Sequence, residues 1–216
     1  MKERLLIIGD SYSTFKDMIP EGYAAYYSEE GMNPNVSVTK MQLSDTWWMK
    51  FINATGVELA LNNSWSGSTV SYTGRGGDCS RTSSYIFRYR QLIENGFFEK
   101  NGITTVIVFG GTNDSWINVP LGELKYDDFK EEELFSAIPA ISYLMGRIKS
   151  DLPRTKILFI ANCDIKEEII SAILKAGEHY GVDTIALHDV HKDNGHPTPL
   201  GMTDICKQVL EWWNRK

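Results

Sequence analysis

LLIIGDS, at residues 5–11, begins with four apolar residues in a row and ends in a serine. A continuous apolar run of this length is typical of a buried strand in a parallel sheet. Gly9 and Asp10 end the run, so Ser11 would lie at the carboxyl edge of the sheet, where open α/β sheets bind ligands. Ser11 is therefore a candidate nucleophile, if a base reaches it from elsewhere in the chain. Alternatively, Asp10 and Ser11 only end the strand and cap the next helix.

Similar apolar runs recur along the chain, with amphipathic segments between them. We predict strands at residues 4–9, 57–62, 104–110, 155–161 and 183–187, and helices at residues 45–55, 83–94, 130–149, 166–180 and 200–213. This alternation is typical of a doubly wound α/β domain with right-handed crossovers. We therefore expect residues 1–216 to form one flavodoxin-like domain with three α/β/α layers. Its five-stranded parallel sheet should have the order 2-1-3-4-5.

Two long segments, residues 16–43 and 68–82, match neither pattern. The first is rich in Gly, Pro, Asn and Tyr, and the second contains the run GRGGD at residues 74–78. Loops of this length in a compact domain are usually functional or partly disordered. Both segments would leave the carboxyl ends of the first two strands, so we expect them to form walls of a cleft.

Composition argues against several classes of partner. The 216 residues include 28 acidic and 22 basic ones, for a net charge of −6, and no Lys/Arg run indicates nucleic-acid binding. The three cysteines are far apart and odd in number, so they indicate neither a disulfide framework nor a zinc site. No apolar stretch approaches the ~18 residues of a membrane span, and no signal peptide is recognisable at the start. We therefore expect a cytoplasmic protein, whose oligomeric state the sequence does not indicate.

A candidate base follows the last predicted strand, in the sequence DNGH at residues 193–196. His196 would lie at the same edge of the sheet as Ser11, and a neutral imidazole can accept the serine proton. Asp193 could hydrogen-bond to the other ring nitrogen and fix the tautomer, as the acid of a catalytic triad does. The alternative is that both residues only belong to a polar turn.

Two further loops at this edge could supply hydrogen-bond donors. Asn113 follows the third predicted strand in the sequence GGTND, and its side-chain amide could stabilise a developing oxyanion. Gly67 follows the second predicted strand in NSWSG and could present an unhindered backbone N–H group. Taken singly, Asn113 could equally be a turn former and Gly67 an ordinary loop glycine.

Together these four blocks resemble the SGNH or GDSL hydrolases, a family named for its serine, glycine, asparagine and histidine motifs. The resemblance extends from Ser11 to His196, and Tyr12 stands where the common form has leucine. It implies an α/β/α fold and ester hydrolysis through an acyl-enzyme, with Ser11, His196 and Asp193 as the triad. It further implies an oxyanion hole formed by the N–H groups of Ser11 and Gly67 and the side chain of Asn113. No metal and no cofactor are implied.

The sequence constrains the substrate less than the reaction. Tyr12, Trp65 and Trp116 lie near the proposed catalytic groups, and such rings suit either sugars or acyl chains. We expect a small-molecule or carbohydrate ester with a short acyl group, such as acetyl; a lipase or thioesterase for longer chains is the alternative. Arg75 and Arg81 could contact an anionic substrate, although solvated loop charges are the simpler interpretation.

Two other functions remain open on the sequence. Residues 188–196 hold three histidines and two aspartates, which could form the metal site of a metal-dependent hydrolase. The Ser- and Thr-containing loop after the first strand could instead hold a phosphate or flavin in a non-enzymatic, flavodoxin-like binding module. The metal site leaves Ser11 and Asn113 without a role, and Asp10 would repel a phosphate.

Overall fold

The computed structural model describes residues 2–215, which form nine strands and seven α-helices. The strands are β1 (Arg4–Gly9), β2 (Glu58–Ser64), β3 (Thr73–Gly74), β4 (Gly77–Asp78), β5 (Thr105–Gly110), β6 (Lys156–Ala161), β7 (Asp183–Ala186), β8 (Lys192–Asp193) and β9 (His196–Pro197). The helices are α1 (Trp47–Thr55), α2 (Tyr85–Glu94), α3 (Phe97–Asn101), α4 (Thr112–Trp116), α5 (Ala137–Asp151), α6 (Glu167–Tyr180) and α7 (Pro199–Trp213). Short 3₁₀ turns lie at Ser11–Ser13, Ser37–Thr39, Leu43–Asp45 and Glu131–Phe135.

The main sheet has the order β2-β1-β5-β6-β7, with every neighbouring pair parallel. This confirms the predicted order, because these are the second, first, third, fourth and fifth strands of the prediction. In the register of the central strands, Gly9 lies opposite both Ser64 and Phe109. The loops that follow β1, β2 and β5 therefore leave the sheet at one level, which brings their polar residues to one edge.

The apolar side chains of β1 point to both faces of the sheet. Leu6 and Ile8 belong to the hydrophobic cluster that contains side chains of α2, α5 and α6. Leu5 and Ile7 belong to the opposite cluster, which contains side chains of α1 and α7. Because successive strand residues point to opposite faces, an uninterrupted apolar strand needs a helical layer on each side. The three-layer α/β/α prediction is confirmed.

Helix α7 begins directly after its capping residue, Thr198, and packs on the preceding hairpin. The Thr198 side chain accepts a hydrogen bond from the N–H of Gly201, and Pro199 is the first helical residue. A Cβ atom at Gly201 would overlap the carbonyl of His191. Glycine at this position therefore allows the close approach that positions the hairpin of β8 and β9 against the helix.

Some local predictions differ from the structure. The helix predicted at residues 130–149 is a 3₁₀ turn at Glu131–Phe135 followed by α5, because the backbone at Ser136 is extended. The hairpins β3–β4 and β8–β9 were not predicted, since two-residue strands are too short to show an alternating pattern. Within residues 2–215, no helix has the length and apolar character needed to cross a lipid bilayer.

Candidate active site

Ser11 lies in the 3₁₀ turn directly after β1, and only 2% of its surface is exposed. The turn is tight because the Asp10 side chain accepts a hydrogen bond from the N–H of Tyr12 at 3.1 Å. A Cβ atom at Gly9 would lie 2.8 Å from the hydroxyl oxygens of two neighbouring serines, so only glycine fits before this turn. The Oγ atom of Ser11 lies 3.0 Å from Nε2 of His196, so the structure brings these two residues together.

His196 reaches Ser11 from the β8–β9 hairpin. The two residues of its turn, Asn194 and Gly195, have positive φ angles of 50° and 77°. Asn-Gly is the favoured pair for such two-residue turns, because both positions need left-handed backbone conformations. The hydroxyl of Tyr12 donates a hydrogen bond of 2.5 Å to the carbonyl of Gly195. This bond ties the hairpin that carries the base to the turn that carries the nucleophile.

The expected hydrogen bond between Asp193 and His196 is not formed in the structure. The two residues are paired across the hairpin, but the Asp193 side chain is exposed. The Nδ1 atom of His196 instead lies 3.3 Å from the carbonyl oxygen of Asn194. Among residues 2–215, no carboxylate lies within hydrogen-bonding distance of either ring nitrogen. The Asn194 carbonyl of the short turn thus takes the place beside Nδ1 that a carboxylate would occupy.

Aromatic rings surround the His196 imidazole. Tyr26 stacks on it, with ring centroids 3.7 Å apart and an angle of 10° between the planes, and Trp116 meets it edge-on at 5.3 Å. This burial lowers the pKa of His196 to about 4; the positive charges of Lys192 and Arg75 act in the same direction, and the Asn194 carbonyl opposes them. The imidazole is therefore neutral near pH 7 and able to accept a proton.

Asn113 is bonded to the loop that contains Gly67. Asn113 is 2% exposed, and its Nδ2 atom donates a hydrogen bond to the carbonyl of Ser68 at 3.0 Å. The amide carries a second N–H, which remains available for a substrate oxygen. Within the described chain, the backbone N–H groups of Ser11 and Gly67 also donate to no other residue. Gly67 has a φ of +80°, a conformation that glycine adopts without strain.

Arg88, which the sequence analysis did not single out, connects the ends of β1 and β2 with the loop that follows β2. It is fully buried on α2 and donates hydrogen bonds to the Gly9 carbonyl at 3.2 Å, to Asn63 Oδ1 at 3.0 Å and to Ser68 Oγ at 3.1 Å. The sequence pattern of α2 could have revealed that Arg88 is buried. Arg88 stands three residues after Tyr85, on the apolar face of an otherwise amphipathic helix.

Two buried carboxylates lie beneath the site. Asp114 accepts hydrogen bonds from the backbone N–H groups of Val70 and Ser71 at 2.8 and 3.0 Å, which fixes the loop after β2 against α4. Asp10 is also fully buried, and this burial raises its pKa to about 7, although the hydrogen bond from Tyr12 opposes the shift. Asp10 thus fixes the turn that carries Ser11, whereas Asp114 fixes the loop after β2.

The three aromatic residues predicted to bind substrate have different environments. Tyr12 is fully buried beneath the site, and a contact with substrate stays a prediction. Trp116 is half-buried beside His196. Trp65 is half-buried and stacks on Tyr23 of the 16–43 segment, with centroids 4.2 Å apart. That segment thus contributes one ring next to the base and another next to the Gly67 loop.

The histidines of residues 188–196 have separate partners. His188 lies 3.0 Å from Asp189, and His191 lies 2.6 Å from Asp204 on α7. Within residues 2–215, no three His, Cys, Asp or Glu side chains form a group that could hold a metal ion. Residues 188–196 therefore do not form the metal site that the sequence left open.

Comparison with known proteins gives a consistent assignment. The family described as GDSL-like Lipase/Acylhydrolase matches residues 3–213. The structure is similar to a protein from Bacteroides ovatus classed as a GDSL-like lipase, at 33% identity and a TM-score of 0.89, covering 100% of both chains. A second GDSL-like lipase, from Bacteroides uniformis, gives 37% identity and a TM-score of 0.87, covering 98% of this chain and 95% of the other.

More distant structures share the fold alone. An acetyl xylan esterase from Butyrivibrio proteoclasticus matches at 18% identity and a TM-score of 0.60, covering 97% of this chain and 63% of that one. Among curated proteins, no sequence matches. The match over residues 3–213 and the two Bacteroides structures establish that this chain belongs to the GDSL-like lipases and acylhydrolases, a family of ester hydrolases.

Proposed function

We propose that this protein is a serine esterase in which Ser11 attacks the ester carbonyl and His196 acts as its base. The observation that supports this most directly is the 3.0 Å contact between Ser11 Oγ and His196 Nε2. A carbonyl oxygen can only accept a hydrogen bond, so the Asn194 carbonyl favours the tautomer with the proton on Nδ1. That tautomer leaves the lone pair of Nε2 facing the serine hydroxyl.

The reaction follows from this arrangement. As Ser11 Oγ bonds to the carbonyl carbon, its proton moves to His196 Nε2, and the negative charge develops on the carbonyl oxygen. The N–H groups of Ser11 and Gly67 and the free amide N–H of Asn113 stabilise that charge. The tetrahedral intermediate then breaks its bond to the alcohol, which leaves with the proton from Nε2. Water repeats the sequence on the acyl-enzyme, which releases the acid and restores Ser11.

The preferred substrate we propose is an ester of a short acyl group, such as acetyl on a carbohydrate. Trp116 lies edge-on to His196, and Trp65, in the loop that contains Gly67, stacks on Tyr23. Half-buried rings of this kind can stack on sugars. The fold relationship to carbohydrate esterases is consistent with this choice. A lipase or thioesterase specific for long acyl chains is the alternative.

The test compares p-nitrophenyl acetate, butyrate and octanoate, together with an acetylated xylo-oligosaccharide. We expect kcat/KM to fall with acyl length, acetate to be released from the oligosaccharide, and Ser11→Ala to abolish both activities. Ser150→Ala, an exposed position on α5, is the matched control and should retain full activity. Hydrolysis that persists in Ser11→Ala would contradict the mechanism, and a preference for octanoate would contradict the substrate class.

A further inference from the structure

Arg75 extends from the β3–β4 hairpin to the proposed oxyanion hole. Its Nη2 atom donates a hydrogen bond to Asn113 Oδ1 at 3.3 Å. A Cβ atom at Gly67 would lie 3.9 Å from Arg75 Nε. The guanidinium group therefore lies beside two of the three proposed oxyanion donors. It also holds the Asn113 amide with its oxygen turned toward the arginine.

The charge of Arg75 has no carboxylate partner among residues 2–215. Arg90 and Arg147, by comparison, form ion pairs with Glu131 and Asp151. A guanidinium group has five N–H donors, and the single contact with Asn113 leaves most of them free. An unpaired guanidinium beside the reacting atoms is suited to bind a planar anion through two parallel hydrogen bonds.

The hairpin that carries Arg75 is fixed at its base and open at its tip. The hydroxyl of Thr73 donates to the carbonyl of Phe135 at 2.7 Å, and the backbone N–H of Cys79 donates to the carbonyl of Tyr72 at 2.8 Å. A cavity of about 310 Å³ lies between this hairpin and the Gly67 loop. Its lining includes Ser66, Gly67, Ser68, Thr82 and two charged side chains, Arg75 and Asp78.

We infer that Arg75 is a specificity-determining residue that selects esters with a carboxylate group close to the scissile carbonyl. The inference rests on the proposed esterase function and adds to it the charge of the substrate. The guanidinium binds the substrate carboxylate at the entrance of the cavity. The oxygen of the scissile carbonyl accepts hydrogen bonds from the proposed oxyanion donors beside it. The carboxylate belongs to either the acyl group or the alcohol, and the experiment distinguishes these two cases.

Two matched pairs of esters test this selection. p-Nitrophenyl hydrogen succinate against p-nitrophenyl butyrate places the charge on the acyl group, and 3-carboxyphenyl acetate against phenyl acetate places it on the alcohol. In one pair, we expect Arg75→Gln to lower the ratio of anionic to neutral kcat/KM by about five-fold, the upper scale for a charge pair at an exposed side chain such as Arg75. Arg75→Lys should retain part of the ratio. Arg81→Gln, which removes the same charge from an exposed position nearby, should leave it unchanged.

An equal loss for both members of each pair would overturn the inference, because the guanidinium would then serve the oxyanion in every substrate. A ratio that Arg75→Gln leaves intact in both pairs would overturn it as well. Calorimetry on the Ser11→Ala protein separates this result from a failure of the proposed reaction, since it measures binding of 3-carboxyphenyl acetate and of p-nitrophenyl hydrogen succinate without turnover. Adding Arg75→Gln should weaken the binding of one of these two esters, and an unchanged affinity for both would contradict the role of Arg75.

Discussion

The pKa of His196 predicts an esterase that remains active in mild acid. Burial lowers this pKa from 6.5 to about 4, so the charged imidazolium forms only below that value. At pH 5, an imidazole with a pKa of 4 is about 90% neutral, whereas one with an ordinary pKa of 6.5 is only about 3% neutral. Because only the neutral form can accept the Ser11 proton, kcat/KM at pH 5 should be within two-fold of its value at pH 7.5.

The assay is kcat/KM for p-nitrophenyl acetate between pH 3.5 and 8, followed at the isosbestic wavelength of p-nitrophenol. Tyr26→Ala removes the ring stacked on the imidazole, so its acid limb should move up toward pH 6.5. Tyr143→Ala, which removes a partly buried tyrosine on α5, is the control and should leave the limb in place. A drop in kcat/KM of about 30-fold between pH 7.5 and 5 in the unmodified protein would refute the reasoning. Burial would then not lower the pKa of His196.

Three further predictions concern neighbouring groups. Asn113→Ala should lower kcat roughly 100-fold with little change in KM, since an oxyanion donor acts mainly in the transition state; a change confined to KM would contradict this role. Asp193→Ala should lower kcat/KM less than about ten-fold, because the Asn194 carbonyl faces Nδ1; a loss of the order of 10⁴, as in triads that depend on their acid, would show that Asp193 turns toward His196 during catalysis. Burial raises the pKa of Asp10 to about 7 in the folded protein. Between about pH 4 and 7 the folded protein therefore binds more protons than the unfolded chain. Asp10 thus makes the free energy of unfolding fall as the pH rises. Between pH 5 and 8 this fall amounts to about 2.5 kcal/mol, which Asp10→Asn should remove. Urea unfolding at the two pH values measures it, and equal pH dependence in both proteins would exclude the effect.

The sheet and its order were predictable because each strand is a short, nearly continuous apolar run between polar loops. The contact between Ser11 and His196 followed from the topology, since loops at one sheet edge converge. The detailed geometry of the acid was not predictable. The spacing of Asp193 and His196 fits a triad, but a two-residue Asn-Gly turn also brings its own carbonyl to the imidazole, and sequence alone does not choose between these acceptors.

The aromatic environment of the site was predictable only in part. Tyr12 follows the nucleophile directly, yet the 3₁₀ turn directs its ring into the core rather than the cleft. Tyr26 belongs to a long segment without periodicity, so no pattern predicts that its ring stacks on His196. Arg75 likewise stands at the tip of a hairpin whose strands are two residues long, and its position depends on tertiary contacts.

The separation of 185 positions between Ser11 and His196 affects how the protein becomes active during folding. The strands β1, β2 and β5 can assemble from the first half of the sequence, but the base reaches the nucleophile only after β7 and the final hairpin have docked. Contacts between such distant positions carry a large loop-closure cost and tend to form late. Esterase activity should therefore return after the helical circular dichroism signal during refolding, and it would serve as a reporter of the completed native state.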